Sequence, residues 1–174
     1  MITLLLGGAR SGKSSLAVEI GVRHDGPVIF LATAEPFDDD LRDRIGRHRD
    51  ERPSWRTLEV PVELADAIRT TTDGLLIVDC LTVWLGNLFV HLPDAASRAA
   101  HCADAVAALA ERAAPTVVVS NEVGLGLVAA DAMSREYRDE LGRLNQRVAS
   151  VSHRTLLLVA GRALRLDDPW EVLS

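Results

Sequence analysis

The chain has 174 residues, a formal net charge of −6 and a hydrophobic content of 48%. This length suits one domain, spanning residues 1–174, and the apolar content predicts a globular chain rather than a disordered one. The negative charge argues against a sequence-independent grip on nucleic acid, and no apolar run approaches the roughly 20 residues of a membrane span. The two cysteines, Cys80 and Cys102, lack the spacing of a zinc site or a disulfide framework. With no basic leader at the N-terminus, we expect a reduced, cytoplasmic protein.

The N-terminal segment predicts a phosphate-binding loop. An apolar run over residues 2–6 enters GGARSGKSS at 7–15, which contains G-x-x-x-x-G-K-S/T, and a helix-compatible segment over 15–23 leaves it. Glycines let backbone N–H groups turn toward an anion, and the helix adds its free N–H groups and positive dipole end. Lys13 would reach the β and γ phosphates, and Ser14 would ligate Mg²⁺. The alternative, an ordinary glycine-rich turn, is disfavoured by the complete pattern between a strand and a helix.

The next segments predict a buried strand over 28–33 and a helix over 38–50. Acids open this helix, arginines close it, and Leu41, Ile45 and His48 fall on one face. The arginines beside His48 favour nearby anions and a neutral, nucleophilic imidazole. The alternative is a hydrogen-bonded histidine of a core or cleft, which is the commoner role of such a residue.

The remaining pattern alternates strands and helices. Asp79 ends an apolar strand over 75–79, and a helix over 81–90 is apolar nearly all round, which predicts deep packing or a subunit contact. The clearest amphipathic helix spans 133–151, with an apolar stripe that begins at Met133. The tail over 161–174 has no strong pattern. Other predicted elements are an edge strand at 55–60, helices at 61–70 and from Asp94 to about Ala113, and strands at 115–120 and 155–160.

Apolar strands alternating with helices predict an α/β fold, a mostly parallel sheet with helices on both faces, of the P-loop NTPase (RecA-like) type. Ligands of such sheets gather at the carboxyl ends of the strands, where Gly7, Thr33, Asp79 and 121–122 fall. Asp79 has the placement of a Walker B acid that holds Mg²⁺, although a helix-capping acid is the alternative. Glu59 and Glu122 are weaker candidates for ligand recognition, since a lone acid is more often structural.

Several motifs together carry a family resemblance. They are GGARSGKS (7–14), LAT (31–33), RIxxHRxxRP (44–53), WRTLE (55–59), VDCLTVWLxNL (78–88), VSNEVGLGLV (119–128) and YRDxLGRLNQRVA (137–149). This combination resembles the bifunctional adenosylcobinamide kinase/adenosylcobinamide-phosphate guanylyltransferases of cobalamin biosynthesis. The similarity covers 7–149, whereas the C-terminal tail departs from the shorter tails expected of the family.

The resemblance implies two reactions at one nucleotide site. ATP or GTP phosphorylates the aminopropanol hydroxyl of adenosylcobinamide, and GTP then guanylylates a histidine that passes GMP to the cobinamide phosphate. The family's nucleophilic histidine matches His48, Lys13 serves catalysis, Ser14 and Asp79 hold Mg²⁺, and the protein is a homotrimer. The implied nucleotide contacts are Gly7, Gly8, Ala9, Arg10, Ser11, Gly12, Lys13, Ser14, Ala32, Thr33, Ala34, Arg49, Asp50, Glu51, Arg52, Glu59 and Asp79.

Two other functions remain open from the residues alone. One is a single-function small-molecule kinase in which His48 only positions phosphate. The other is a nucleotide-switched binding protein without group transfer to a small substrate, as many phosphate-loop proteins are.

Overall fold

The computed structural model describes residues 1–35, 53–127 and 129–173. Within these residues seven strands form one sheet, accompanied by six helices. The strands are β1 (Ile2–Gly7), β2 (Val28–Ala32), β3 (Arg56–Glu59), β4 (Leu75–Asp79), β5 (Thr116–Val119), β6 (Arg154–Val159) and β7 (Arg162–Leu166). The helices are α1 (Lys13–Val22), α2 (Leu64–Thr70), α3 (Leu81–His91), α4 (Ala95–Glu111), α5 (Ala132–Val151) and α6 (Pro169–Leu173).

The strand order is β3-β2-β4-β5-β1-β6-β7, and every pairing is parallel except that of β6 with β7. Strand β5 lies between β1 and β4, and its Val119 is level with Leu5 on one side and Asp79 on the other. The end of β1, which enters the phosphate loop, is therefore separated from Asp79 by a single intervening strand, β5. This register brings the polar strand ends to one edge of the sheet.

Two apolar clusters cover the two faces of the sheet. Successive residues of each central strand alternate between them, so that Leu4 and Leu6 join one cluster and Leu5 joins the other. Helices α2 to α5 contribute to the first cluster, which contains the fully buried Trp84, whereas α1 contributes Ala17 to the second. The predicted mostly parallel sheet with helices on both faces is confirmed.

Helix α3 is packed into the protein along most of its length. Its buried residues include Leu81, Trp84, Leu85 and Leu88, which confirms the deep packing predicted for residues 81–90. None of the helices in the described ranges is long and apolar enough to cross a membrane.

Two predicted helix boundaries and one predicted stripe are wrong. Helix α2 begins at Leu64 rather than at residue 61, because the carbonyls of Pro61 and Val62 accept hydrogen bonds from the Asn87 and Trp84 side chains instead. Helix α1 begins at Lys13, two residues before the predicted start. Met133 is exposed, so the apolar stripe of α5 does not begin there.

The tail was predicted to have no strong pattern, yet it contains β7 and α6. All of β7 is exposed, so the burial of one face that makes a strand recognisable in a sequence is missing. The predicted helix over 38–50, which carries His48, lies outside the described residues.

Candidate functional site

Backbone geometry at the end of β1 explains the glycines of the phosphate loop. Gly7 has φ 149°, and a Cβ atom there would lie 2.4 Å from the carbonyl oxygen of Leu158 and 2.7 Å from Ser11 Oγ. Gly12, with φ 100°, occupies the N-cap position of α1. Only glycine meets both conditions without strain, so the two glycines shape a loop that opens directly onto a helix N-terminus.

Lys13 is the first residue of α1, and its side chain is folded into the loop. The residue is only 6% exposed, and Nζ donates to the Gly8 carbonyl at 2.6 Å and to Ser11 Oγ at 3.3 Å. Burial lowers the pKa of Lys13, against the opposing effect of negative charge at Cys80 and Asp79. The lysine and the strand-end acid are therefore close enough to interact electrostatically.

The hydroxyl of Thr33, the residue that follows β2, holds the backbone immediately after Asp79. The Asp79–Cys80 peptide bond is cis, and Thr33 Oγ1 accepts from the Cys80 N–H at 2.8 Å and donates to the Cys80 carbonyl at 2.9 Å. The Thr33 carbonyl in turn accepts from Asn87 Nδ2 at 2.7 Å. The fully buried Thr33 thus ties the ends of β2 and β4 together at the sheet edge.

The two other acids predicted at this edge, Glu59 and Glu122, each lie beside another residue of the predicted site. Glu59 ends β3 and is level with Ala32 on β2. The Glu122 N–H donates to the Gly7 carbonyl at 3.1 Å, so the segment after β5 contacts the phosphate loop. The Glu122 carboxylate caps its own turn, accepting from the Gly124 N–H at 2.6 Å.

The structure therefore places most of the predicted nucleotide residues along one edge of the sheet, those at 7–14 and 32–34 together with Glu59 and Asp79. The predicted nucleophile and its neighbours lie outside the described residues; these are His48, Arg49, Asp50, Glu51 and Arg52.

Two residues that contribute contacts at this edge are not evident from the sequence, Asn87 and Gly161. Asn87 is the single amide in an otherwise apolar stretch of α3, and that isolation was the signal for a buried structural role. The Gly161 N–H, in the turn between β6 and β7, donates to the Ser11 carbonyl at 3.0 Å. No sequence pattern near Gly161 indicates this contact with the loop.

The strand order and the GGARSGKS loop at the end of β1 define a P-loop NTPase fold. Solved structures agree: an ATPase of a bacterial type III secretion system has a TM-score of 0.52 at 13% identity, covering 91% of this chain. This chain spans only 51% of that ATPase. A KaiC-like protein from Pyrococcus horikoshii has a TM-score of 0.50 at 11% identity, and the match covers 90% of this chain and 69% of the KaiC-like chain. These similarities concern the fold alone.

The chain belongs to the cobinamide kinase/cobinamide phosphate guanyltransferase family, whose model matches residues 3–166. It is 42% identical over 170 residues to the bifunctional adenosylcobalamin biosynthesis protein CobP of Pseudomonas aeruginosa, covering 95% of this chain and 97% of that protein. It is 34% identical over 181 residues to the bifunctional adenosylcobalamin biosynthesis protein CobU of Salmonella typhimurium, and this match covers 95% of this chain and 99% of that protein. The resemblance recognised in the sequence is confirmed.

Proposed function

We propose that this protein phosphorylates the aminopropanol hydroxyl of adenosylcobinamide with ATP or GTP, and then transfers GMP from GTP to the product through a guanylylated His48. The observation that carries the proposal is the buried Lys13, folded into a phosphate loop beside Asp79, in a chain that matches the family model over 3–166. The product of the second reaction is adenosylcobinamide-GDP, and we expect both steps to occur in the cytoplasm.

In the kinase step a bond forms between the substrate hydroxyl oxygen and the γ-phosphorus, the bond to the β–γ bridging oxygen breaks, and the hydroxyl proton is released to water. The backbone N–H groups of residues 7–14 surround the phosphates, and the Lys13 ammonium stabilises the charge that develops on them. Its hydrogen bonds to Gly8 and Ser11 hold the ammonium within the loop before the nucleotide binds, which reduces the reorganisation that the reaction requires.

A magnesium ion fits the chemistry of the same edge. The Ser14 hydroxyl in the first turn of α1 and the Asp79 carboxylate at the end of β4 are the hard oxygen ligands that Mg²⁺ prefers, and the charge interaction of Asp79 with Lys13 places this acid next to the loop. These two residues would hold the ion together with phosphate oxygens. When bound, Mg²⁺ neutralises part of the triphosphate charge.

The guanylyl transfer uses a histidine nucleophile. His48 attacks the α-phosphorus, a P–N bond forms, and the bond to pyrophosphate breaks; an oxygen of the cobinamide phosphate then attacks the same phosphorus and releases the histidine. The motif RIGRHRDERP supports this assignment through the family resemblance, since His48 stands at the family's nucleophile position. The arginines at 49 and 52 would balance phosphate charge during both displacements.

The experiment is incubation with GTP labelled in the α-phosphate, followed by denaturation. We expect a protein label that is acid-labile and alkali-stable, as a phosphoramidate is, and that disappears in His48→Ala but persists in the control His24→Ala. Phosphorylation of adenosylcobinamide should continue in both variants. Phosphorylation without any label would instead select the single-function kinase, and tight GTP binding with neither activity would select the nucleotide-switched binding protein.

We further propose a homotrimer, as the family resemblance implies. The exposed C-terminal region supports a subunit contact, because the end of β6, β7 and α6 leave several apolar side chains at the surface. They are Val159, Leu164, Leu166, Trp170, Val172 and Leu173. Several exposed apolar side chains within one short segment favour an interaction site, because monomeric proteins seldom expose large apolar patches.

A further inference from the structure

A buried amide on α5 contacts the segment that follows β5. Asn145 is 5% exposed and lies among the buried Leu141, Leu144 and Val148. Its Oδ1 accepts from Ser120 Oγ at 2.7 Å, and its Nδ2 donates to the Asn121 carbonyl at 3.0 Å. An amide at such a core position stabilises the fold no better than leucine would, because burial of a polar group must be offset by its hydrogen bonds.

A second helix holds the other backbone group of Asn121. Thr82, near the start of α3, accepts from the Asn121 N–H through Oγ1 at 2.7 Å. Tyr137 of α5 donates from its hydroxyl to the Thr82 carbonyl at 2.8 Å, so the threonine is itself positioned. The N–H and the carbonyl of Asn121 are thus both bonded to side chains from two different helices.

The segment held in this way supports the phosphate loop. Strand β5 lies between β1 and β4, and the residue after Asn121, Glu122, donates its N–H to the carbonyl of Gly7. Gly7 is the first glycine of the loop, where its φ of 149° sets the direction of the turn. A displacement of 121–122 therefore changes the hydrogen bond at the entrance to the nucleotide site.

We infer that Asn145 is a positioning residue for the phosphoryl-transfer reaction. Together with Thr82 it fixes the backbone at Asn121 and Glu122, and through Glu122 it fixes the first glycine of the phosphate loop. This inference rests on the proposed kinase function and assigns a role to the GRLNQRV and SNEVG motifs, which the two reactions by themselves leave unexplained.

The test compares Asn145→Leu and Thr82→Val with Leu144→Ala, which removes a buried side chain from the same helix without touching the hydrogen bonds. We expect the first two variants to lower kcat/KM for adenosylcobinamide phosphorylation by about tenfold each, the effect of misplacing a reacting group by loss of one buried hydrogen bond. The double variant should lose less than the product of the two factors, since both side chains act on Asn121. Leu144→Ala should be less stable in urea yet keep its kcat/KM.

A merely structural role for Asn145 would give another pattern. The inference is overturned if Asn145→Leu and Thr82→Val keep kcat/KM within about twofold of Leu144→Ala, the resolution of such kinetic comparisons. If the wild-type protein phosphorylates no cobinamide, the proposed function fails, and calorimetric titration with GTP then tests the inference alone. In that case weaker GTP binding by both variants than by Leu144→Ala supports it, and equal binding overturns it.

Discussion

The most informative single residue is Lys13, because an ammonium is seldom buried without a counter-charge. Here the ammonium satisfies its hydrogen bonds with the loop that it belongs to, and burial lowers the pKa of its side chain. Asp79 supplies one opposite charge nearby, and an anion placed in the loop would add another. The buried Lys13 lies outside both apolar clusters, which agrees with the phosphate-binding role that we propose for it.

We predict that Lys13→Ala lowers the rate of adenosylcobinamide phosphorylation by about a hundredfold or more, because a charge that stabilises the transition state is lost. The measurement is the initial rate at saturating nucleotide. Arg23→Ala serves as the control, since Arg23 is an exposed cation at the far end of α1 paired with Glu19. Wild-type turnover by Lys13→Ala would contradict the phosphate-loop assignment.

A second prediction concerns Cys102. Burial raises the pKa of its thiol from 9.0 to about 11. The thiol therefore ionises at a lower pH in the unfolded chain than in the folded protein, and between pH 9 and 11 unfolding releases a proton. Because of this release, the free energy of unfolding falls as the pH rises from 9 toward 11. This pKa shift corresponds to a loss of about 3 kcal/mol in the free energy of unfolding once the pH has passed both pKa values.

The measurement is urea unfolding at about pH 8 and about pH 10, on either side of the lower pKa. Cys102→Ala should be less stable than the wild type at the lower pH, yet its stability should decline less between the two. Parallel declines in both proteins would show that Cys102 does not contribute to the pH dependence.

At the scale of elements, the junction of α4 and α5 is held by a buried cation. Arg98 is 3% exposed, contacts Glu136, bonds Glu140 at 3.1 Å, and lies 4.0 Å from the centroid of the Phe89 ring. It also donates to the carbonyls of Leu92 and Pro93, which connects the end of α3 to the same cluster. This arginine therefore joins three helices.

We predict that Arg98→Ala lowers the free energy of unfolding by about 1.5–3 kcal/mol, since it removes a buried guanidinium and its charge-assisted hydrogen bonds to Glu140 and to two backbone carbonyls. The measurement is the urea midpoint. Arg69→Ala is the matched control, because Arg69 is an exposed arginine that bonds Asp104 through its guanidinium, and exposed pairs contribute little. Equal losses in the two variants would contradict the role assigned to burial.

The elements that could be predicted from the sequence are those with one apolar face or a complete apolar run. The strand over 75–79 and the α5 pattern are recognisable because the core selects their residues. The start of α2 was misplaced because the bonds to its preceding carbonyls come from Asn87 and Trp84, far away in the sequence. Strand β7 was missed because neither of its faces is buried.

At the scale of the whole molecule, the exposed apolar tail is the surface that we propose for the contact in the homotrimer. Trp170 on α6 is 78% exposed, and Leu164 on β7 is 63% exposed. We predict that Leu164→Asp combined with Trp170→Asp converts the trimer to monomers in sedimentation velocity, because a charge is costly to bury in an apolar contact. Leu125→Asp, an equally drastic change at another exposed leucine, should leave the assembly intact. A trimer that survives the tail variant would place the contact elsewhere.

The candidate site could be predicted as far as local pattern reaches. GGARSGKS and Asp79 were recognisable because loop and strand-end chemistry is encoded in consecutive residues. The contacts that hold them, from Thr33 to Cys80 and from Asn145 to Asn121, join residues distant in sequence, and their partners are set only when the sheet forms. The sequence thus indicates the chemistry, whereas its support has to be seen in the fold.

The hydrogen bond from Gly161 to Ser11 connects the exposed hairpin to the nucleotide loop. If the hairpin is a subunit contact, assembly and nucleotide binding share one backbone segment, and their free energies cannot be independent. By thermodynamic reciprocity, if GTP changes the association constant of the subunits by some factor, association changes the affinity for GTP by the same factor. The concentration of the enzyme itself would then act as an effector, because the affinity for GTP would change on dilution in the direction set by the sign of this coupling.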